Sequence, residues 1–226
     1  MKNKRLGKKV ALIALTAGAS WLLVGCGSTK GYKQADKTGE GIASFREEIV
    51  NGKKAIDQTM TALDAVAASA STDPRKAFEQ YSKAVANLES TANKIKKRGE
   101  DMKAQGQAYF TQWEQQLATV KNPEIQKMAA DRKAKLQKTF DNIKTLTEPI
   151  KEKYEPWMSD LKDLQTYLAN DLTVNGVDSA KNMFAKTRGT GAEVQKSMDA
   201  LVAELNTIAA TITAAKVPPP DKSAAK

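Results

Sequence analysis

No histidine occurs anywhere in the 226 residues. Its absence removes the commonest general base and metal ligand of proteins. The Glu-x-x-His di-metal sites of helical bundles are excluded, and so are Ser-His-Asp and Cys-His nucleophile systems. Cysteine occurs once, at Cys26, so no disulfide framework can staple the chain. Stability must come from packing. After residue 25 no apolar run is long enough to cross a bilayer, which takes about twenty residues. No strand pattern stands out. Arg188-Gly189-Thr190-Gly191 lacks the glycine spacing and the lysine of a phosphate-binding loop. Glu148, Glu152, Glu155 and Asp160 fall beside Lys151, Lys153 and Lys162, in the spacing of a solvated helix face. No catalytic residue, metal site or cofactor is expected.

What is present begins at the N-terminus. Lys2, Lys4, Arg5, Lys8 and Lys9 form a basic segment, and residues 10–25 follow without a charge. That run suits the apolar part of a signal peptide and is short for a membrane span. It ends in Leu23-Val24-Gly25-Cys26, followed by the polar stretch Gly27-Ser28-Thr29-Lys30-Gly31. Leu at −3, a small residue at −1 and Cys at +1 resemble the lipobox of bacterial lipoproteins. The resemblance implies acylation of the Cys26 thiol, cleavage before it and acylation of the new amine. Two or three chains hold a protein at a membrane where one holds only marginally. In enterobacterial relatives Asp at +2 favours the inner membrane. Gly27 at that place implies the outer membrane, facing the periplasm, with the inner membrane as the alternative. Removing residues 1–25 lowers the formal net charge from +10 to +5. A mildly basic exported chain does not point to nucleic acid.

The remainder reads as all-α, an elongated antiparallel bundle or coiled coil of about four long helices. The organisation expected is a signal peptide over 1–25, a lipidated Cys26 with a flexible tether over 26–38, a bundle over 39–216 and a disordered tail over 217–226. A first helix runs from about Gly39 to Ala70, with Ile42, Phe45, Ile49, Ile56, Met60, Leu63 and Val66 inward. Thr72 or Asp73 can cap the second, in which Pro74 suits the first turn. That helix continues to about Val120, its apolar residues spaced by three and four, with Gly99 and Gly106 in the gaps. Asn122-Pro123 repeats the punctuation. The third helix carries Ile125, Met128, Arg132, Leu136, Phe140 and Ile143 along its seam, on through Trp157 to Leu168. Pro149 and Pro156 predict a bend or break around Glu148 to Trp157. After a turn at Asn170 to Asn175, a fourth helix runs from about Val174 to Ala215, with an irregularity expected at Arg188-Gly189-Thr190-Gly191.

Short turns make consecutive helices antiparallel neighbours. Folding about the turns sets Phe45 beside Gly99, Trp113 opposite Ala130 and Tyr154 opposite Gly189, so that rings meet small residues. Tyr154 and Trp157 form the one unusual aromatic cluster. Core packing is its ordinary reading, and an exposed binding groove at a helix bend is the functional one.

Tyr109-Phe110-Thr111-Gln112-Trp113-Glu114-Gln115-Gln116-Leu117, Glu148-Pro149-Ile150 and the stretch Leu161 to Leu172 with Asn170 resemble a bacterial family catalogued as domain of unknown function number 2959. The resemblance implies an all-helical envelope protein and carries no catalytic residues. The expected role is a non-enzymatic, lipid-anchored periplasmic scaffold, spacer or adaptor. Its partners would be the membrane, through Cys26, and an envelope protein or the cell wall. A homodimer stays open. The alternatives are a membrane-surface-binding or remodelling protein and, behind it, a cell-wall-active enzyme.

Overall fold

Residues 30–212 are described by a computed structural model, and they form five helices and no strand. These are α1 (Lys30–Ser69), α2 (Arg75–Leu117), α3 (Pro123–Asn170), α4 (Val174–Ser179) and α5 (Lys181–Ile212). Neighbours run in a ring: α1 lies against α2 and α5, and α3 closes the square against the same two. The fold is an all-α bundle. The expected signal peptide, Cys26 and the 217–226 tail lie outside the described residues.

The cause of the bundle is a repeat kept almost without error. In α1 the inward stripe is Ala35, Thr38, Ile42, Phe45, Ile49, Gly52, Ile56, Thr59, Leu63 and Val66, with Ala55 buried beside it. Their spacings alternate strictly between three and four, the pattern that keeps one stripe facing its neighbours at a shallow crossing angle. α4 and α5 share a second such stripe, running from Val177 and Ala180 through Phe184 and Val194 to Ile212. Each large aliphatic side chain fully buried along such a stripe contributes about 1.5–3 kcal/mol. α1 begins nine residues before the expected Gly39, because Ala35 and Thr38 extend the stripe backwards. The expected tether over 26–38 is therefore helical from residue 30.

The turns follow local chemistry. The Asn122 side chain accepts from the backbone N–H of Glu124 (2.9 Å) and Ile125 (3.2 Å), and Pro123 occupies the first turn of α3. At the α1–α2 turn Asp73 accepts from the Arg75 N–H at 3.2 Å. Thr173 caps α4 by accepting from the Gly176 N–H at 3.1 Å.

Three expectations are corrected. α3 is one continuous helix of 48 residues, not two segments broken near Pro149 and Pro156. Both prolines are exposed, as are Thr145 and Glu152, whose carbonyls the rings leave unpaired. Water can satisfy those carbonyls, so the helix survives. The fourth helix is interrupted at Ala180 and not at Arg188-Gly189-Thr190-Gly191, which stays helical. At Ala180 the N–H is shared between the Gly176 and Val177 carbonyls at 3.3 and 3.1 Å, a local tightening that leaves the stripe in phase. Finally, Ile125, Met128 and Arg132 are exposed rather than inward. The true seven-residue repeat continues back from Ile143 and Leu136 to Ala129, which is half-buried.

Candidate functional site

Trp157 sits on the inward stripe of α3 and is fully buried. Its Nε1–H donates to the Thr187 carbonyl of α5 at 2.7 Å. A Cβ added at Gly191 would lie 3.0 Å from the ring, so α5 approaches α3 closely only because residue 191 has no side chain. Tyr154, one turn earlier, packs edge-on against Trp157 with ring centroids 6.1 Å apart. Its hydroxyl is buried and lacks a hydrogen-bond partner among the described residues. Burial, helped by the Glu89 carboxylate, pushes that phenol up to about 12. On the other side of α3, the buried Tyr81 hydroxyl donates to the Leu161 carbonyl at 2.7 Å. Desolvation raises its pKa well above the usual phenol value.

The two cluster residues are thus brought together, but as a plug in the core. The exposed groove at a helix bend is not formed, because α3 is unbroken and Gly191 makes room for the indole. The expected pairing of Tyr154 with Gly189 becomes Trp157 with Gly191, and a Cβ at Gly189 would have nothing within 4 Å. Phe45 does face Gly99, whose added Cβ would lie 3.2 Å from the ring. Trp113 packs edge-on against Tyr109 at 5.5 Å, and the ring that meets a glycine between α2 and α3 is Phe140, against Gly106.

Around this core, charged side chains pair across helices. Lys162 reaches Glu89 of α2 at 2.6 Å, Lys153 reaches Glu193 of α5 at 2.9 Å, and Lys186 reaches Asp160 of α3 at 2.8 Å. Lys53 and Arg188 pair with Asp199 and Asp64 between α1 and α5. The pairs are largely solvent-exposed, so they serve register more than stability. The Lys153 ammonium lowers the Glu193 carboxyl below its usual value. No group of three or more Cys, Asp or Glu side chains placed to hold a metal ion occurs among the described residues. None of the described helices is long and apolar enough to cross a membrane.

A second feature was not foreseen. The α2–α3 hairpin runs on past the ends of the other described helices. Lys133 pairs with Glu114 across it, and the Gln126 amide donates to the Val120 carbonyl at 2.5 Å. The Arg132 guanidinium reaches the Thr211 carbonyl at 3.5 Å, so the described end of α5 lies level with Arg132. Beyond that level, Ile125 is 52% exposed and Met128 71% exposed. A shallow hollow beside them is lined by Leu117, Ala118, Pro123 and Ala130 together with the polar side chains of Glu114, Gln126 and Lys127. The signal was in the sequence: Ile125 and Met128 fall one position off the repeat fixed by Leu136 and Ile143.

Cys26, Leu23, Val24 and Gly25 lie outside the described residues. Among curated proteins and among solved structures, nothing matches the chain. A family model described as protein of unknown function (DUF2959) matches residues 28–213, and the chain belongs to that family. The match takes in all of α1, well upstream of the Tyr109–Leu117 stretch that carried the resemblance.

Proposed function

We propose that this protein is a lipid-anchored periplasmic rod that holds an interaction surface at a set distance from the membrane, acting as spacer, scaffold or adaptor without catalysis. The observation that carries the reading is how near to Cys26 the chain is already helical, α1 being formed at Lys30. Only Gly27, Ser28 and Thr29 stand between Cys26 and Lys30, the first residue of a 40-residue helix. At 1.5 Å per residue α1 spans about 60 Å. An acylated Cys26 would therefore hold the bundle by one end, with its long axis leading away from the bilayer. The missing histidine and the core placement of the aromatic cluster favour a structural role over an enzymatic one.

The test compares wild type with Cys26→Ser in living cells. Wild type is expected to stay with the outer membrane after a salt wash, and Cys26→Ser to be released. Crosslinking followed by affinity capture should enrich one envelope protein, or the cell wall, with the anchored form alone. A Cys26→Ser protein that remains membrane-bound sinks the anchoring reading. Hydrolysis of purified peptidoglycan, abolished by a single carboxylate change, would replace the non-enzymatic reading with the enzymatic one.

A further inference from the structure

We infer that the exposed tip of the α2–α3 hairpin is a lipid-contacting foot, resting on the phosphate-bearing surface of the bilayer to which Cys26 is fixed. The inference rests on the anchoring reading above and adds a second contact to it.

The geometry comes from the register. Gly41 of α1 faces Gln105 of α2, and Phe45 faces Gly99. The helices are antiparallel, so the start of α1 lies level with the last turn of α2. The hairpin then continues through the Ala118–Asn122 turn into α3. Ile125 is thereby carried on the order of 10 Å beyond the start of α1, at 1.5 Å per residue. The segment joining Cys26 to Lys30 reaches at most about 14 Å when fully extended, at 3.3–3.6 Å per residue. Anchor and tip leave the bundle at the same end, and the tether is too short to lift the tip far from the surface that holds the lipid.

The chemistry suits that place. Ile125 and Met128, three residues apart on one face of α3, are exposed apolar side chains where no other described helix reaches. Lys121 and Lys127 stand beside them. Residues 114–135 carry five bases, Lys121, Lys127, Arg132, Lys133 and Lys135, against the three acids Glu114, Glu124 and Asp131, and Lys133 is paired with Glu114. Exposed apolar side chains flanked by Lys121 and Lys127 fit the boundary between headgroups and acyl chains, where each apolar group contributes by burial and each base near the surface by attraction to phosphate. The tip needs no ordering on contact, since the Asn122 cap, the Gln126–Val120 bond and the Lys133–Glu114 pair already hold it.

The experiment uses the full-length protein purified from membranes with its own lipid. Single variants Ile125→Cys, Met128→Cys and the distant exposed control Glu152→Cys are labelled with a polarity-sensitive thiol dye. They are reconstituted into phosphatidylethanolamine–phosphatidylglycerol vesicles containing brominated acyl chains. The dye at 125 and 128 is expected to shift blue and lose emission, and the dye at 152 to do neither. Vesicle-bound protein with unquenched dye at 125 and 128 overturns the proposal. So does a Met128→Cys protein that crosslinks to a disulfide-linked dimer before labelling while the dye on Ile125→Cys stays unquenched, which would give the tip to a second copy of the chain. Wild type reports on the anchor separately: it takes up no dye if the Cys26 sulfur is acylated. If wild type is labelled, the anchoring reading fails. The tip is then judged by quenching of Cys26→Ser/Met128→Cys on the same vesicles, and absence of quenching overturns it.

Discussion

Gly189 and Gly191 lie two residues apart in α5, and alanine should have opposite effects at the two. In a helix interior, replacing glycine with alanine stabilises by about 1 kcal/mol. At Gly189 nothing opposes that gain, because an added Cβ meets nothing within 4 Å. At Gly191 the added Cβ would lie 3.0 Å from Trp157 Cζ2, 3.4 Å from Cε2 and 3.5 Å from the Met60 sulfur. The indole cannot give way easily, since it is fully buried and its Nε1–H is held by the Thr187 carbonyl at 2.7 Å. Overpacking of this kind costs about 1–3 kcal/mol, so Gly191→Ala should fall between neutral and about 2 kcal/mol destabilised. For a domain of this size each kcal/mol moves Tm by about 2–4 °C. Calorimetric melting should therefore show Gly189→Ala raised by about 2–4 °C, and Gly191→Ala unchanged or lowered. Trp157→Phe removes the ring edge that collides, so it should relieve part of the Gly191→Ala penalty in a double-mutant cycle. If Gly191→Ala gains as much stability as Gly189→Ala, Trp157 does not sit against α5 as described.

Asn122→Ala removes the acceptor for two backbone N–H groups at the start of α3 and should cost about 1 kcal/mol. Amide exchange at Glu124 and Ile125 would accelerate before any change in the melting of the bundle as a whole. The Tyr154 phenol, held up to about 12 against an ordinary value of 10, ionises more readily in the unfolded chain. The Tyr154 contribution is thus constant below about pH 10, falls as pH rises through the unfolded value and levels off above the folded one, and the raised Tyr81 phenol adds a loss of the same sign. Tyr154→Phe should shallow that alkaline loss in urea titrations at pH 8 and 11. It should cost little at pH 8, because the hydroxyl it removes is buried without a partner. Amide protection along α3 should rise from its N-terminal to its C-terminal half, and uniform protection would refute the packing gradient on which this rests.

The large apolar positions of the bundle were legible because heptad spacing carries their signal directly. Ile42, Phe45, Leu201 and Ile208 are where the spacing puts them, and all are buried. The sequence hid the small and polar members of the same stripes. Thr59 is fully buried where the neighbouring Met60 was the apolar choice, and its hydroxyl donates to the Ala55 carbonyl at 2.8 Å. Thr38 does the same to Gln34 at 2.8 Å. A threonine that satisfies its hydroxyl within its own helix can occupy a core position without a polar partner elsewhere, and composition cannot reveal that. At the tip the error ran the other way. Ile125 and Met128 look like core residues because they are apolar, whereas the half-buried Ala129 keeps the repeat.

The two halves of α3 explain why the tip is free while the distal end is not. Before Trp157 the helix buries only Leu136 and Ile143, and from Trp157 onward it buries Trp157, Met158, Leu161, Leu164 and Leu168. α2 shows no such change: it buries Tyr81, Val85 and Leu88 toward one end and Met102, Gly106, Tyr109 and Phe110 toward the other, with Ile95 and Gly99 half-covered between them. Without a disulfide, local stability follows such burial, so α3 is held more firmly toward the α3–α4 turn than toward Pro123. The hairpin is held below its tip by the packed rings of Tyr109, Phe110, Trp113 and Phe140, and at the tip by its cap and its ion pair. A surface built this way gains little from being hidden inside the bundle and loses little when it is turned outward. Apolar residues on it are therefore better explained by an external contact than by folding.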